Sequence, residues 1–257
     1  MPLTLQSLLP GELFSYLLVF SRIGTTVSML PGFGESYVSP RIRLLLALVI
    51  TAVITPVVAD RLPAAPASPF ELLLIVGGES IVGLFIGSIA RLLLSALATG
   101  GAILGFLIGL ANAQLFNPLL SDQGVLPSVF LSVLGLLMIF VTDTHHMMLM
   151  ALLDGYMVFQ PGAPLPLGDF ADTAAQALAG SFRVGMQLAA PFLMYGIIFY
   201  AGMGLLARLM VQMPIFFVAM PVQIILGLFT MLLTFPAALL WFLNYYQTTF
   251  TRILLPG

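Results

Sequence analysis

The sequence contains no cysteine and no lysine, and only 7% of its 257 residues are charged. The missing cysteines exclude disulfides, thiolate nucleophiles and cysteine-ligated metal centres. All basic residues are arginines and the formal net charge is −2, too slight to mark a nucleic-acid or anionic-lipid surface. A soluble domain charges roughly a quarter of its positions, so this chain cannot coat a water-facing globule. Reactive patterns are missing too. There is no GxSxG elbow, no phosphate-binding loop, no HExxH and no pair of aspartates in apolar segments. The sequence therefore predicts a protein that is not an enzyme, with no catalytic residue, metal or cofactor. The first charge is Glu12, and with no basic stretch ahead of it a cleaved signal peptide is not expected.

What is present is apolar. Hydrophobic residues make up 60% of the chain, with long runs at 44–59, 125–142, 184–205 and 215–243. A bilayer span needs about 20 such residues, so an integral membrane protein follows. The expected fold class is all-α, a single domain over 1–257, with five to seven helical segments. Residues 13–30 end at the turn signal Pro31-Gly32-Phe33-Gly34. Then come a short segment 44–59, a longer one over 70–98, and a glycine-rich stretch over 100–116. Beyond a loop at 117–123 lie 125–142 and 145–159, a polar helix over 169–183 and the apolar stretch 184–243. Pro214, Pro221 and Pro236 punctuate that last stretch. Freed backbone groups at membrane depth must be covered by protein or water. The pattern therefore predicts either broken helices buried in a complex or ordinary proline kinks in a bundle.

Gly101, Gly105 and Gly109 form a small-xxx-small ladder, and Gly83 and Gly87 repeat the spacing. Such glycines let another helix backbone approach closely, either within the chain or in a neighbouring subunit. Glu79 and Arg91 sit among apolar residues, where charges turn inward and pair. Twelve residues apart, they stand about 18 Å from each other along one helix, so their partners must come from other segments or subunits. Asp143, His145 and His146 form a polar knot between two apolar runs. Adjacent histidines on a helix diverge by about 100°, so the knot reads as a membrane-interface turn rather than a metal site.

Several patterns in order resemble the FliR/SctT family of flagellar and injectisome export-gate subunits. They begin with Arg22, Pro31-Gly32-Phe33-Gly34 and Pro40-Arg41-Ile42-Arg43-Leu44. Glu79 with Gly83 and Gly87 follows, then Gly101 through Gly109 to Phe116-Asn117-Pro118, and His146 with Pro161. Gly185, Pro191, Gly204, Arg208, Gln212, Phe216, Pro221 and Gly227 complete the set. The resemblance runs from about residue 22 to residue 227. Ala102, Leu107 and Val211 depart from it, standing where relatives often carry polar residues or a proline.

The resemblance implies a non-enzymatic subunit of a protein-conducting channel in the bacterial inner membrane, within the flagellar basal body. It implies helical hairpins packed into a helical multi-subunit gate with FliP-like and FliQ-like partners. FlhB-like and FlhA-like neighbours, unfolded protein substrates and no nucleic acid are implied as well. In the family the loop after the glycine ladder plugs the pore. By position this points to Phe106, Leu110, Asn112, Gln114, Leu115 and Phe116. Glu79, Arg91, Arg208 and Gln212 are the expected polar inter-subunit contacts. A competing reading is a secondary transporter, with Glu79, Arg91 and Arg208 as a coupling-ion or substrate site.

Overall fold

The computed structural model describes residues 11–111, 125–209 and 215–254. Among these the structure is all-α, with no strand. Its helices are α1 (Gly11–Met29), α2 (Pro40–Val58), α3 (Pro69–Leu107), α4 (Leu126–Val141), α5 (Thr144–Val158), α6 (Leu167–Leu209) and α7 (Ile215–Leu254). One 3-10 turn, Ala59–Arg61, extends α2.

Helix starts follow local chemistry. Ser39 caps α2, its Oγ accepting from the Ile42 N–H at 3.4 Å, with Pro40 in the first helical position. The same Ser-Pro pair recurs at α3, where Ser68 Oγ accepts from the Glu71 N–H at 3.2 Å. Between α1 and α2 the Pro31–Gly34 turn forms where the sequence signals it, with Gly32 at φ 86°. Arg43 holds that turn from α2, donating to the carbonyls of Phe33 at 3.1 Å and Glu35 at 2.9 Å.

Three boundaries differ from the sequence reading. The segment expected to be short grows to 22 residues once residues 40–43 and 60–61 join it. The segments over 70–98 and 100–116 fuse into one 39-residue helix that ends at Leu107. The polar helix over 169–183 continues into the apolar run as a 43-residue helix. Pro191, Pro221 and Pro236 lie inside continuous helices. A missing N–H costs one helical bond, whereas fully opening the backbone in an apolar setting strands many more polar groups. The chain breaks instead at Thr142-Asp143, where Asp143 adopts φ 57°.

Among the described residues, four helical stretches are long and apolar enough to cross a membrane: Pro40–Arg61, Pro69–Leu107, Leu167–Leu209 and Val218–Leu254. At 1.5 Å per residue the 43-residue α6 is about 64 Å long, roughly twice the ~30 Å hydrocarbon core of a bilayer. Such helices extend well past any one membrane crossing.

The chain divides into two compact units. The first comprises residues 1–92, 142–177 and 248–257, the second residues 93–141 and 178–247. Both are discontinuous, and the charge is uneven: the first holds 15 of the 18 charged residues. The core of the first unit joins Val19, Ile23 and Val27 of α1, Ala47, Ile54 and Val58 of α2, and Leu152 and Tyr156 of α5. In the second unit Leu104 and Ile108 pack on Phe192 of α6.

Candidate functional site

The first unit holds a buried charge cluster. Glu79, Gly83 and Gly87 share one face of α3 at four-residue spacing, and that face meets α1. A methyl group at Gly83 would collide with Thr25 and the Arg22 carbonyl; at Gly87 it would come within 3.0 Å of the Thr26 carbonyl oxygen. The absence of side chains at 83 and 87 brings the backbones together, one turn from Glu79. Across this contact Arg22, 0% exposed, meets Glu79, 2% exposed. Arg22 Nη2 donates to Glu79 Oε1 at 3.0 Å. The Nε–Oε2 approach of 2.7 Å is a charge contact without hydrogen-bond alignment.

The rest of the guanidinium caps α5. Nη1 donates to the Gly155 carbonyl at 3.1 Å and Nη2 to the Phe159 carbonyl at 2.9 Å. Both carbonyls lie at the negative C-terminal end of α5, and that of Gly155 also accepts the Phe159 N–H at 2.9 Å. The guanidinium carbon also lies 4.0 Å from the centroid of the buried Tyr156 ring, a cation–π contact. Phe159 is fixed in turn by an aromatic trio. Phe85 stacks on Phe170 at 4.2 Å, and Phe159 stands edge-on to both. One arginine thus ties α1, α3 and the end of α5 together.

Sequence reasoning expects Glu79 at a contact with another subunit. The structure places it in an intrachain pair, because its face is closed over by α1. Arg91 also has an intrachain partner, Glu35, at 3.3 Å, but this pair is partly exposed to solvent. Arg208 is exposed in the last turn of α6. Gln212 lies outside the described residues. Arg22 enters the sequence reading as the first of the family-like patterns, with no partner assigned to it. The missed signal is its opposite sign to Glu79, each charge lying in an apolar helix.

The second unit holds the end of α3, where the plug residues are expected. Gly101 faces α4, where an added methyl would meet Ser128 Cα at 2.5 Å and the Pro127 carbonyl oxygen at 2.7 Å. Gly105 faces Val125, and Gly109, at φ 83°, faces the Gln223 side chain. All five predicted packing glycines therefore serve contacts within the chain. Phe106 is 64% exposed, whereas Leu110 is half-buried against the Leu104–Ile108–Phe192 cluster. Asn112, Gln114, Leu115 and Phe116 lie outside the described residues. Gln223, absent from the sequence reading, is the buried polar residue here. Its Nε2 donates to the Leu107 carbonyl and to the Tyr200 hydroxyl, each at 2.8 Å.

At the α4–α5 break the histidine rings do not diverge as expected. The His145 and His146 centroids are 4.2 Å apart. One ligand atom from each of Asp143, His145 and His146 falls within 4.8 Å of the others. Asp143 and His146 face solvent, and the positive N-terminal end of α5 opposes a bound cation.

Long apolar helices, an interior salt bridge spent on packing, and an exposed apolar surface define an integral membrane protein of helical architecture. Residues 13–249 match the family described as bacterial export proteins, family 1. The chain belongs to that family. It is 36% identical over 225 residues to the flagellar biosynthetic protein FliR of Caulobacter vibrioides, covering 87% of this chain and 90% of that one. The Bacillus subtilis protein of the same name is 27% identical, with 82% of each chain covered. The Yop proteins translocation protein T of Yersinia pestis is 26% identical, with 85% of each covered.

Proposed function

We propose that the chain is a non-enzymatic structural and gating subunit of the flagellar type III export channel, in the bacterial inner membrane. The observation that carries this reading is the family match across residues 13–249, joined by relatives named for flagellar biosynthesis that match nearly end to end. The geometry supports it. Helices of about 60 Å with exposed Met194, Ile197, Ile198 and Leu205 on α6, and exposed Ile225, Phe229 and Leu232 on α7, need more apolar cover than one bilayer crossing provides. FliP-like and FliQ-like subunits supply that cover, with FlhB-like and FlhA-like proteins as neighbours and unfolded polypeptides as cargo.

In this reading the segment from Phe106 through Phe116 helps occlude the passage, bulky apolar side chains sealing it against ions. Arg208 and Gln212 remain candidates for inter-subunit contact. The transporter reading loses support from the ion pairs: Glu79 is committed to Arg22, and Arg91 has Glu35.

The test is co-purification. A tagged chain, co-expressed with its genomic membrane-protein neighbours and extracted in mild detergent, should bring down FliP-like and FliQ-like subunits in one stable complex. A monodisperse chain without them would overturn the proposal.

A further inference from the structure

We infer that Gln223 is a positioning residue that keys the end of α3 to α7 and so fixes where the gate segment begins. This rests on the pore-occluding role proposed above for the residues from Phe106 onward. Gln223 is 2% exposed, on a helix otherwise rich in apolar side chains. A primary amide in such a setting is costly unless its groups are paired. Its Nε2 is paired twice, with the Leu107 carbonyl and with the Tyr200 hydroxyl, at 2.8 Å each. Its main-chain carbonyl accepts from the Tyr195 hydroxyl, also at 2.8 Å.

The choice of Leu107 matters. It is the last residue of α3, so its carbonyl is one of those a helix terminus leaves for an outside donor. The N–H groups that follow turn back elsewhere. Ile108 donates to Leu104, Gly109 to Phe106 and Ala111 to Gly105. Gly109 makes the turn at φ 83°, and a methyl there would stand 3.2 Å from the Gln223 amide carbon. The amide therefore fits against the one residue that bends the chain away from the helix.

A second contact sits one turn along α7. Gly227 forms a notch that Ile108 fills, so closely that a methyl at Gly227 would collide with its side chain. Ile108 is itself fully buried. An amide at 223 and a notch at 227, four residues apart on one face, hold Leu107 and Ile108 together. Displacing the gate segment from its base means breaking the bond to the Leu107 carbonyl, which leaves that carbonyl and one N–H of the amide unpaired.

The experiment compares the intact multi-subunit complex with the Gln223→Met variant, which keeps the side-chain length and removes the donor. Hydrogen exchange of residues 105–111 should be about tenfold faster in the variant, the effect of one lost buried hydrogen bond. Resting ion leak through the complex in liposomes should rise toward that of a complex lacking residues 110–116. Tyr195→Phe, which leaves the amide in place, should give a smaller rise in both. If Gln223→Met fails to assemble, Gln223→Leu, which likewise cannot donate to the Leu107 carbonyl, takes its place with the same expectations. Unchanged exchange would overturn the inference, as would unchanged leak where the deletion complex leaks. A deletion complex that does not leak would instead remove the gate reading, and exchange alone would then judge the keying role.

Discussion

Arg22 and Glu79, 57 positions apart in sequence, meet side by side in an interior where neither is more than 3% exposed. An ion pair so placed is weak evidence of net stabilisation, because desolvating both charges consumes most of their attraction. Its consequence is specific. Arg22 also holds the Gly155 and Phe159 carbonyls, so the pair sets where α5 ends.

Breaking this pair from one side should therefore cost more than removing it. Glu79→Gln, or Arg22→Met alone, should destabilise the protein by about 3–5 kcal/mol. The double variant Arg22→Met/Glu79→Met should recover a large part of that loss. Thermal unfolding of the purified protein in detergent decides it. Additive losses would mean that the two charges do not depend on each other.

The exposed pair should behave differently. Arg91 and Glu35 approach to 3.3 Å with partly hydrated side chains, a class worth about 0–1 kcal/mol. A double-mutant cycle on Arg91→Gln and Glu35→Gln should return a coupling in that range, falling with added salt. A salt-insensitive coupling of several kcal/mol would show that the pair is buried in the assembled protein.

Glycine substitutions should separate packing positions from open ones. Gly83→Ala drives a methyl toward the Arg22 carbonyl, and should cost about 1–3 kcal/mol through overpacking. Gly77, on the same helix, has no atom within 4 Å of an added methyl. There alanine should be neutral or stabilise by up to about 1 kcal/mol through helix propensity. Equal losses at both positions would remove the close α1–α3 contact.

A third glycine tests backbone shape rather than space. Gly109 occupies φ 83°, a region that costs an L-residue about 1–2 kcal/mol. Gly109→Ala should lower stability by that amount and loosen the α3 terminus. An unchanged unfolding midpoint would show that the turn has another shape.

The glycine pattern made the close helix contacts legible in advance. Spacing of four places Glu79, Gly83 and Gly87 on one face whatever the tertiary structure, and a missing side chain there can only serve close approach. Spacing could not say which helix approaches, and hence left Glu79 without its partner. Opposite charges in two apolar helices were the available clue. The helix boundaries failed for a different reason. Pro221 and Pro236 signal breaks in water, but an apolar surrounding favours continuous helix through them, and the change from polar to apolar composition at 183–184 marks no end of α6. Gln223 was invisible because a lone amide beside Pro221 has no periodic signature. It acquires meaning only when the end of α3 arrives beside it.

In the function proposed above, the chain helps close an export channel at the segment following α3. Ion conductance of the assembled complex in planar bilayers, with and without residues 110–116, tests it most directly. The account predicts a closed resting complex for the intact chain and a persistent ionic current for the deletion, at equal subunit composition. Equal conductance in the two complexes would contradict it.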